Sequence, residues 1–74
     1  MLYEIVKGIC EAKRGKVHPV LATELELKRE LSRRGVPYTA DTFRMVLREM
    51  ERNPDIITHQ LLRYNGYSIK GEEI

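Results

Sequence analysis

Three arginines recur at every fourth position in the sequence, at Arg44, Arg48 and Arg52. Residues four apart lie on the same side of a helix, so a helix here presents the three guanidinium groups as one row. A guanidinium donates to phosphate oxygens, and it donates twice to the edge of a guanine base. Met45 falls on the same face, where it suits a thymine methyl group or an apolar protein partner. The alternative is a face that contacts only water, because two glutamates share this segment.

The other reactive side chains predict no catalysis. Cys10 follows the helical spacing of Ile5 and Ile9, which favours a buried, inert thiol. His18 and His59 lie in separate segments, with no third ligand or nucleophile near either in the pattern. The sequence has no glycine-rich phosphate loop and no supported pair of catalytic carboxylates. We therefore expect no enzyme, no catalytic residue, no metal site and no cofactor.

The length and composition are those of one small folded domain. The chain has 74 residues, of which 42% are apolar and 32% are charged, and this length excludes two domains. A single cysteine excludes an intramolecular disulfide. No apolar run approaches the roughly 20 residues that span a bilayer, and the first ten residues contain charges where a signal peptide is apolar. These features predict a cytoplasmic protein without a membrane partner.

The charge is balanced overall and uneven along the chain. The net charge of +2 divides into +2 for residues 1–20, +1 for 21–35, 0 for 36–54 and −1 for 55–74. A balance this close does not by itself indicate nucleic acid. The segment that holds the arginine row is neutral, which favours a protein partner as the alternative.

Apolar residues at helical spacing predict three helices. The first spans Met1 to Lys13 and the second runs from about Leu21 to Arg34. The third follows Thr39, a credible N-cap, and ends near Asn53 because Pro54 comes next. Gly35 stops the second helix, and Val36, Pro37 and Tyr38 form the turn. The residues expected to face the core are Leu2, Ile5, Val6, Ile9 and Cys10 in the first helix, Leu21, Leu25, Leu27 and Leu31 in the second, and Phe43, Val46, Leu47 and Met50 in the third.

After Pro54 the apolar residues lose their helical spacing, and strand-forming types follow. This change predicts two antiparallel strands. Asn65–Gly66 is the strongest short-range signal for a type I′ hairpin turn. The alternative is a longer tip over residues 60–64, with pairing only near the base. Residues 16–20 form an extended connector or a short strand, since His18 precedes a proline. Residues 71–74 are expected to form a flexible tail.

This order of elements resembles winged helix-turn-helix domains. The resemblance covers roughly residues 1–70. It implies an α+β fold, mostly helical, with three helices and a C-terminal β-hairpin wing. Pro37 and Tyr38 lengthen the turn, so Thr42 and Phe43 come about two residues later than the Thr-Val pair of many such domains. The resemblance is carried by Leu25, Leu31, Gly35, Val36, Thr42, Phe43, Leu47, Met50, Ile56, Ile57, Asn65, Gly66 and Tyr67.

The resemblance implies a surface for double-stranded DNA. The third helix would enter the major groove, the end of the second helix would contact the backbone, and the wing would reach the minor groove or a phosphate. It implies a small transcriptional regulator or accessory DNA-binding factor, with a protein-interaction module of the same fold as the alternative. The predicted DNA-binding residues are Arg33, Arg34, Thr39, Asp41, Arg44, Met45, Arg48, Arg52, Arg63, Tyr64 and Asn65.

A homodimer is a further possibility, because a domain this small covers few base pairs. Helix one is the expected dimer surface, since Tyr3 and Val6 widen its apolar face. The alternative is that a thin core takes up both side chains.

Overall fold

The computed structural model describes residues 2–17 and 19–71. Its elements follow the order α1 (Leu2–Lys13), β1 (Ala22–Thr23), α2 (Glu24–Arg33), α3 (Ala40–Arg52), β2 (Ile56–Gln60) and β3 (Asn65–Ile69). The fold is therefore α+β, with three helices and a three-stranded antiparallel sheet in the described ranges. The predictions for His18 and for residues 72–74 of the tail lie outside the described residues.

The sheet has the order β1-β3-β2, so β3 is its central strand. Ala22 pairs with Tyr67 on one side of β3, and Ile56 pairs with Ile69 on the other. Tyr67 and Ile69 are buried against the helices. The core they join is formed by Leu2, Ile5, Val6, Cys10, Ala22, Leu27, Leu31, Val46, Met50 and Ile56.

Helix α3 has the predicted cap and end. Thr39 is its N-cap, with the hydroxyl oxygen accepting from the Thr42 amide, and Asn53 is its C-cap. Val46 and Met50 are buried in the core while Phe43 and Leu47 are partly buried, so two of the four residues of the predicted stripe belong to the core. Gly35 has a φ of +83°, the left-handed conformation expected of a glycine that stops a helix.

The predicted start of the second helix was wrong. Thr23 caps α2 in a capping box, because its hydroxyl accepts from the Glu26 amide while the Glu26 carboxylate accepts from the Thr23 amide. Leu21 therefore precedes the helix, and the short strand is Ala22–Thr23 rather than part of residues 16–20. Leu25 is 56% exposed, because the buried Leu27 and Leu31 set the helix orientation.

Lys13 fixes α1 to this capping box. Its ammonium group forms an ion pair with Glu26 and donates to the Leu21 carbonyl at 2.8 Å. Partial burial by itself would raise the pKa of Glu26, but hydrogen bonds from Lys13 and Thr23 outweigh it and lower that pKa. The start of α2 is thus held by its own cap residue Thr23 and by Lys13 of α1.

The predicted turn at Asn65–Gly66 was also wrong. Both residues lie in β3, where Asn65 pairs with Gln60 and Gly66 pairs with His59 and Thr23. The chain reverses over residues 61–64, and the Leu61 amide donates to the Tyr64 carbonyl at 3.0 Å. A Cβ at Gly66 would lie 3.1 Å from Leu21 Cδ1. The glycine is therefore needed for close packing against a buried leucine and not for a turn conformation.

The core takes up much of the apolar face of α1 that was expected to form a dimer surface. Val6 is fully buried and Tyr3 is partly buried against the core. The core thus takes up Val6 and part of Tyr3, which favours the alternative interpretation. Cys10 is buried as predicted, and its thiol donates to the Tyr67 carbonyl at 3.7 Å.

Candidate nucleic-acid interface

The outer face of α3 forms one groove. Burial of Val46 and Met50 turns the opposite side of the helix to solvent, and there a groove of about 360 Å³ is lined by six side chains of this helix. Met45 lies in the groove and is 44% exposed. The structure thus brings together five of the eleven predicted DNA-binding residues, and Glu49 joins them. The six lining residues are Asp41, Arg44, Met45, Arg48, Glu49 and Arg52.

The three arginines of the groove are available to a ligand. All are exposed, and within residues 2–17 and 19–71 Arg44, Arg48 and Arg52 form no ion pair. Asp41 and Glu49 line the same groove, so its formal charge is three positive against two negative. The face can donate hydrogen bonds to an anion through its guanidinium groups, and it can accept hydrogen bonds through Asp41 and Glu49.

Arg33 and Arg34 are engaged differently, because both bind the Glu30 carboxylate. The Arg33 guanidinium reaches Glu30 Oε1 at 2.5 Å and Oε2 at 3.1 Å, and Arg34 Nε lies 3.0 Å from Oε1. The hydrogen bonds from Arg33 and then Arg34 lower the pKa of Glu30 to about 2. Arg34 also lines a hollow against Gly8 and Ala12 of α1, which is separate from the α3 groove.

Thr39 has a structural task at the start of α3. Its hydroxyl oxygen accepts from the Thr42 amide at 3.3 Å. The Thr42 hydroxyl in turn donates to the Pro37 carbonyl at 2.8 Å. These contacts join the turn to the helix, and they set where the arginine row begins.

The hairpin residues divide among three environments. Arg63 is exposed at the tip between β2 and β3, as predicted for a residue that reaches a ligand. Tyr64 lines an apolar hollow. Asn65 lies in β3, and its backbone amide donates to Glu24 Oε1 at 3.1 Å, which ties the strand to the start of α2. Arg63 is thus the predicted hairpin residue that lies outside both the hollow and β3.

The apolar hollow was not predicted from the sequence. It measures about 440 Å³ and lies between α2, the first turn of α3 and the hairpin. Tyr38 and Phe43 meet edge to face inside it, with 6.0 Å between ring centroids, and Lys28 Nζ lies 5.8 Å from the Tyr38 centroid. Burial, followed by the charge of Glu24, raises the pKa of Tyr38. The hollow is lined by Thr23, Glu24, Leu25, Lys28, Tyr38, Phe43 and Tyr64.

The groove and the hollow adjoin along the first turn of α3, because Phe43 lines the hollow and Arg44 lines the groove. The sequence did carry one signal for an apolar surface at the hairpin tip. Leu61 and Leu62 stand between two strands, where turn residues are usually polar, and Leu62 is 97% exposed. An apolar pair in a turn indicates a surface that interacts with another molecule or segment as well as reversing the chain.

The described residues carry neither of two other kinds of site. No helix there has the length and apolar character needed to cross a membrane. No group of three or more histidine, cysteine, aspartate or glutamate side chains is arranged to hold a metal ion in those same ranges.

Comparison of the chain with known proteins found no matching family model, no similar curated protein and no similar solved structure.

Proposed function

We propose that this chain is a winged-helix domain that binds double-stranded DNA through the outer face of α3, as a small transcriptional regulator or accessory DNA-binding factor. The observation that carries the proposal is the row of Arg44, Arg48 and Arg52 in one exposed groove, with no ion-pair partner in the described ranges. Guanidinium groups on an exposed helix face can donate to phosphates and to guanine edges.

The order of elements supports the proposal. Three helices precede a hairpin, and a short strand before α2 adds to the sheet in the order β1-β3-β2. This is the order that the resemblance to winged helix-turn-helix domains implies. In that arrangement α3 is the helix that enters the major groove, and the hairpin is the wing.

The other elements take supporting roles in the proposal. Arg63 at the hairpin tip is free to contact a phosphate or the minor groove. Arg33 and Arg34 can reach the backbone with their remaining N–H donors or by exchanging the Glu30 carboxylate for a phosphate. Exposed ion pairs are weak, so this exchange costs little.

Replacement of Arg48 tests the proposal. Arg48→Ala removes the central cation of the row from an exposed position, so we expect the free energy of unfolding to change by less than about 0.5 kcal/mol. If Arg48 reads a base, binding to the preferred duplex weakens by about 1–3 kcal/mol and random duplex binding changes less. If it contacts only phosphate, both weaken together and the salt slope falls by about 1. Fluorescence anisotropy over a salt series measures these quantities.

Two further variants control the experiment. Arg48→Lys retains the charge but not the planar fork, so base reading is lost while phosphate binding remains. Lys16→Ala removes one exposed charge from the turn after α1, and we expect it to affect DNA binding less than Arg48→Ala. A folded Arg48→Ala variant with unchanged affinity for every duplex contradicts the proposed role of α3.

The second candidate function is a protein-interaction module of the same fold. It is favoured by the apolar hollow and by exposed Met45, which suit an apolar partner. The salt response separates the two functions, because DNA binding through phosphates weakens steeply with salt while an apolar interface hardly responds. A chain that binds no duplex at low salt favours the second function.

A further inference from the structure

The tip of the hairpin carries an apolar side chain with nothing around it. Leu62 is 97% exposed, and the neighbouring Leu61 and Tyr64 are also exposed. A leucine in water loses the favourable free energy that burial would provide. Exposed single leucines are ordinary on protein surfaces, but contiguous apolar groups at one point mark an interaction site more often.

An apolar hollow lies beside this tip. Tyr38, Phe43 and Tyr64 contribute aromatic rings to its wall, and its volume is about 440 Å³. Leu62 of the same chain is not among its lining residues. The molecule therefore carries both a projecting leucine and a cavity large enough for a leucine side chain. Within one copy, Leu62 does not occupy that cavity.

The hollow carries one charge of each sign, because Glu24 and Lys28 both line it. Arg63 follows Leu62 at the tip and is exposed. Glu24 stands at the rim of the hollow, and its Oε1 accepts from the Asn65 amide at 3.1 Å. Carboxylate oxygens accept more than one hydrogen bond. A tip that enters the hollow thus brings a guanidinium group toward a carboxylate.

We propose that the hairpin tip is a self-association site, in which Leu62 of one copy enters the hollow of a second copy and Arg63 approaches the second copy's Glu24. Because the projecting leucine and the hollow belong to one patch, a twofold axis forms both contacts at once. The patch is small, so the dimer is weak. It occupies Arg63 and Tyr64, and it competes with DNA for the hairpin.

Sedimentation velocity from micromolar to millimolar protein, without DNA, tests this site. We expect a concentration-dependent dimer, together with concentration-dependent NMR shifts at Phe43 and Tyr64. Leu62→Asp removes both leucines and sets a carboxylate against Glu24, so it should raise the dimer dissociation constant at least about 100-fold. Val17→Asp is the matched control, because Val17 is also an exposed apolar residue, at 51%, and it should leave the dimer unchanged.

A protein that remains monomeric at millimolar concentration overturns the proposal. A dimer that Leu62→Asp leaves intact overturns it as well, and shows that another surface associates. A monomer whose Leu62 methyl resonances shift on addition of duplex assigns the tip to DNA, as an apolar wedge between bases. Since the association is measured without DNA, its outcome is independent of the proposed DNA binding.

Discussion

Addition of one methyl group at Gly66 should destabilise the fold. A Cβ at this position in β3 would lie 3.1 Å from Leu21 Cδ1, 3.3 Å from Leu21 Cβ and 3.3 Å from Leu61 Cδ1. Favourable separations between carbon atoms are about 3.5–4.0 Å. Leu61 is partly exposed and can move its side chain, but Leu21 is buried. The contact with Leu21 Cβ is relieved only by a shift of the backbone of that segment.

Two effects of opposite sign decide the result of Gly66→Ala. The backbone at Gly66 does not have a positive φ, so alanine fits its conformation and restricts the unfolded chain, which stabilises by about 0.4–1 kcal/mol. Overpacking of a close contact costs about 1–3 kcal/mol. The larger effect wins, and we expect a net loss of about 1 kcal/mol, which lowers Tm by about 4–8 °C in a domain of this size.

Urea denaturation followed by circular dichroism measures this loss, and Gly8→Ala is the matched control. A Cβ at Gly8 in α1 meets no atom within 4 Å, so there the same substitution should stabilise by about 1 kcal/mol through helix propensity. The two variants should therefore move the unfolding midpoint in opposite directions. Equal stabilisation by both would refute the reasoning, because it would mean that Leu21 moves aside without cost.

Two further predictions concern α2. Thr23→Ala removes the hydroxyl that accepts from the Glu26 amide at 3.3 Å and should cost about 1 kcal/mol of unfolding free energy; an unchanged denaturation midpoint contradicts this role of the cap. The Glu30 carboxyl should titrate with a pKa of about 2 in carbon-detected NMR, and Arg33→Ala should raise that pKa. Because this pKa is lowered from the ordinary 4.5, its contribution to stability is present above about pH 4.5 and is lost as the pH falls toward 2; titration at the ordinary value contradicts the ion pairs.

Helix α3 was predictable because the sequence signals for its start, its end and its buried face are all local and all agree with one another. Thr39 provides the cap, Pro54 follows the end, and the apolar stripe has a single period. The arginine row follows from the same stripe, since burial of Val46 and Met50 fixes the opposite face. Local signals that agree with the tertiary packing are the ones that sequence reasoning reads correctly.

The start of α2 and the hairpin turn were mispredicted for different reasons. Leu21 and Leu25 are apolar and fit a helical face, but the Thr23 to Glu26 capping box lies between Leu21 and the helix. That box was readable from the sequence. Asn65–Gly66 is a genuine local turn signal, yet the glycine is required where β3 passes Leu21. This second requirement is tertiary, so no local pattern shows it.

The apolar hollow could not be predicted, because its walls come from separate parts of the chain. Glu24 and Lys28 belong to α2, Tyr38 to the turn, Phe43 to α3 and Tyr64 to the hairpin. Each side chain has an ordinary local explanation, such as core packing for Phe43. Only the relative placement of α2, α3 and the hairpin brings them to one cavity.

The mixed charge of the α3 groove bears on what the proposed DNA contact would read. Asp41 and Glu49 line the same groove as the arginines, and a carboxylate repels phosphate. Base edges present acceptors on guanine beside donors on cytosine, so a face with both guanidinium groups and carboxylates matches them better than it matches a phosphate chain. The phosphate contacts would then be made by Arg63 and by Arg33 and Arg34 at the end of α2, once a phosphate replaces the Glu30 carboxylate. Under the proposed function, the division of charge between the helices therefore favours sequence reading by α3 over uniform binding to any duplex.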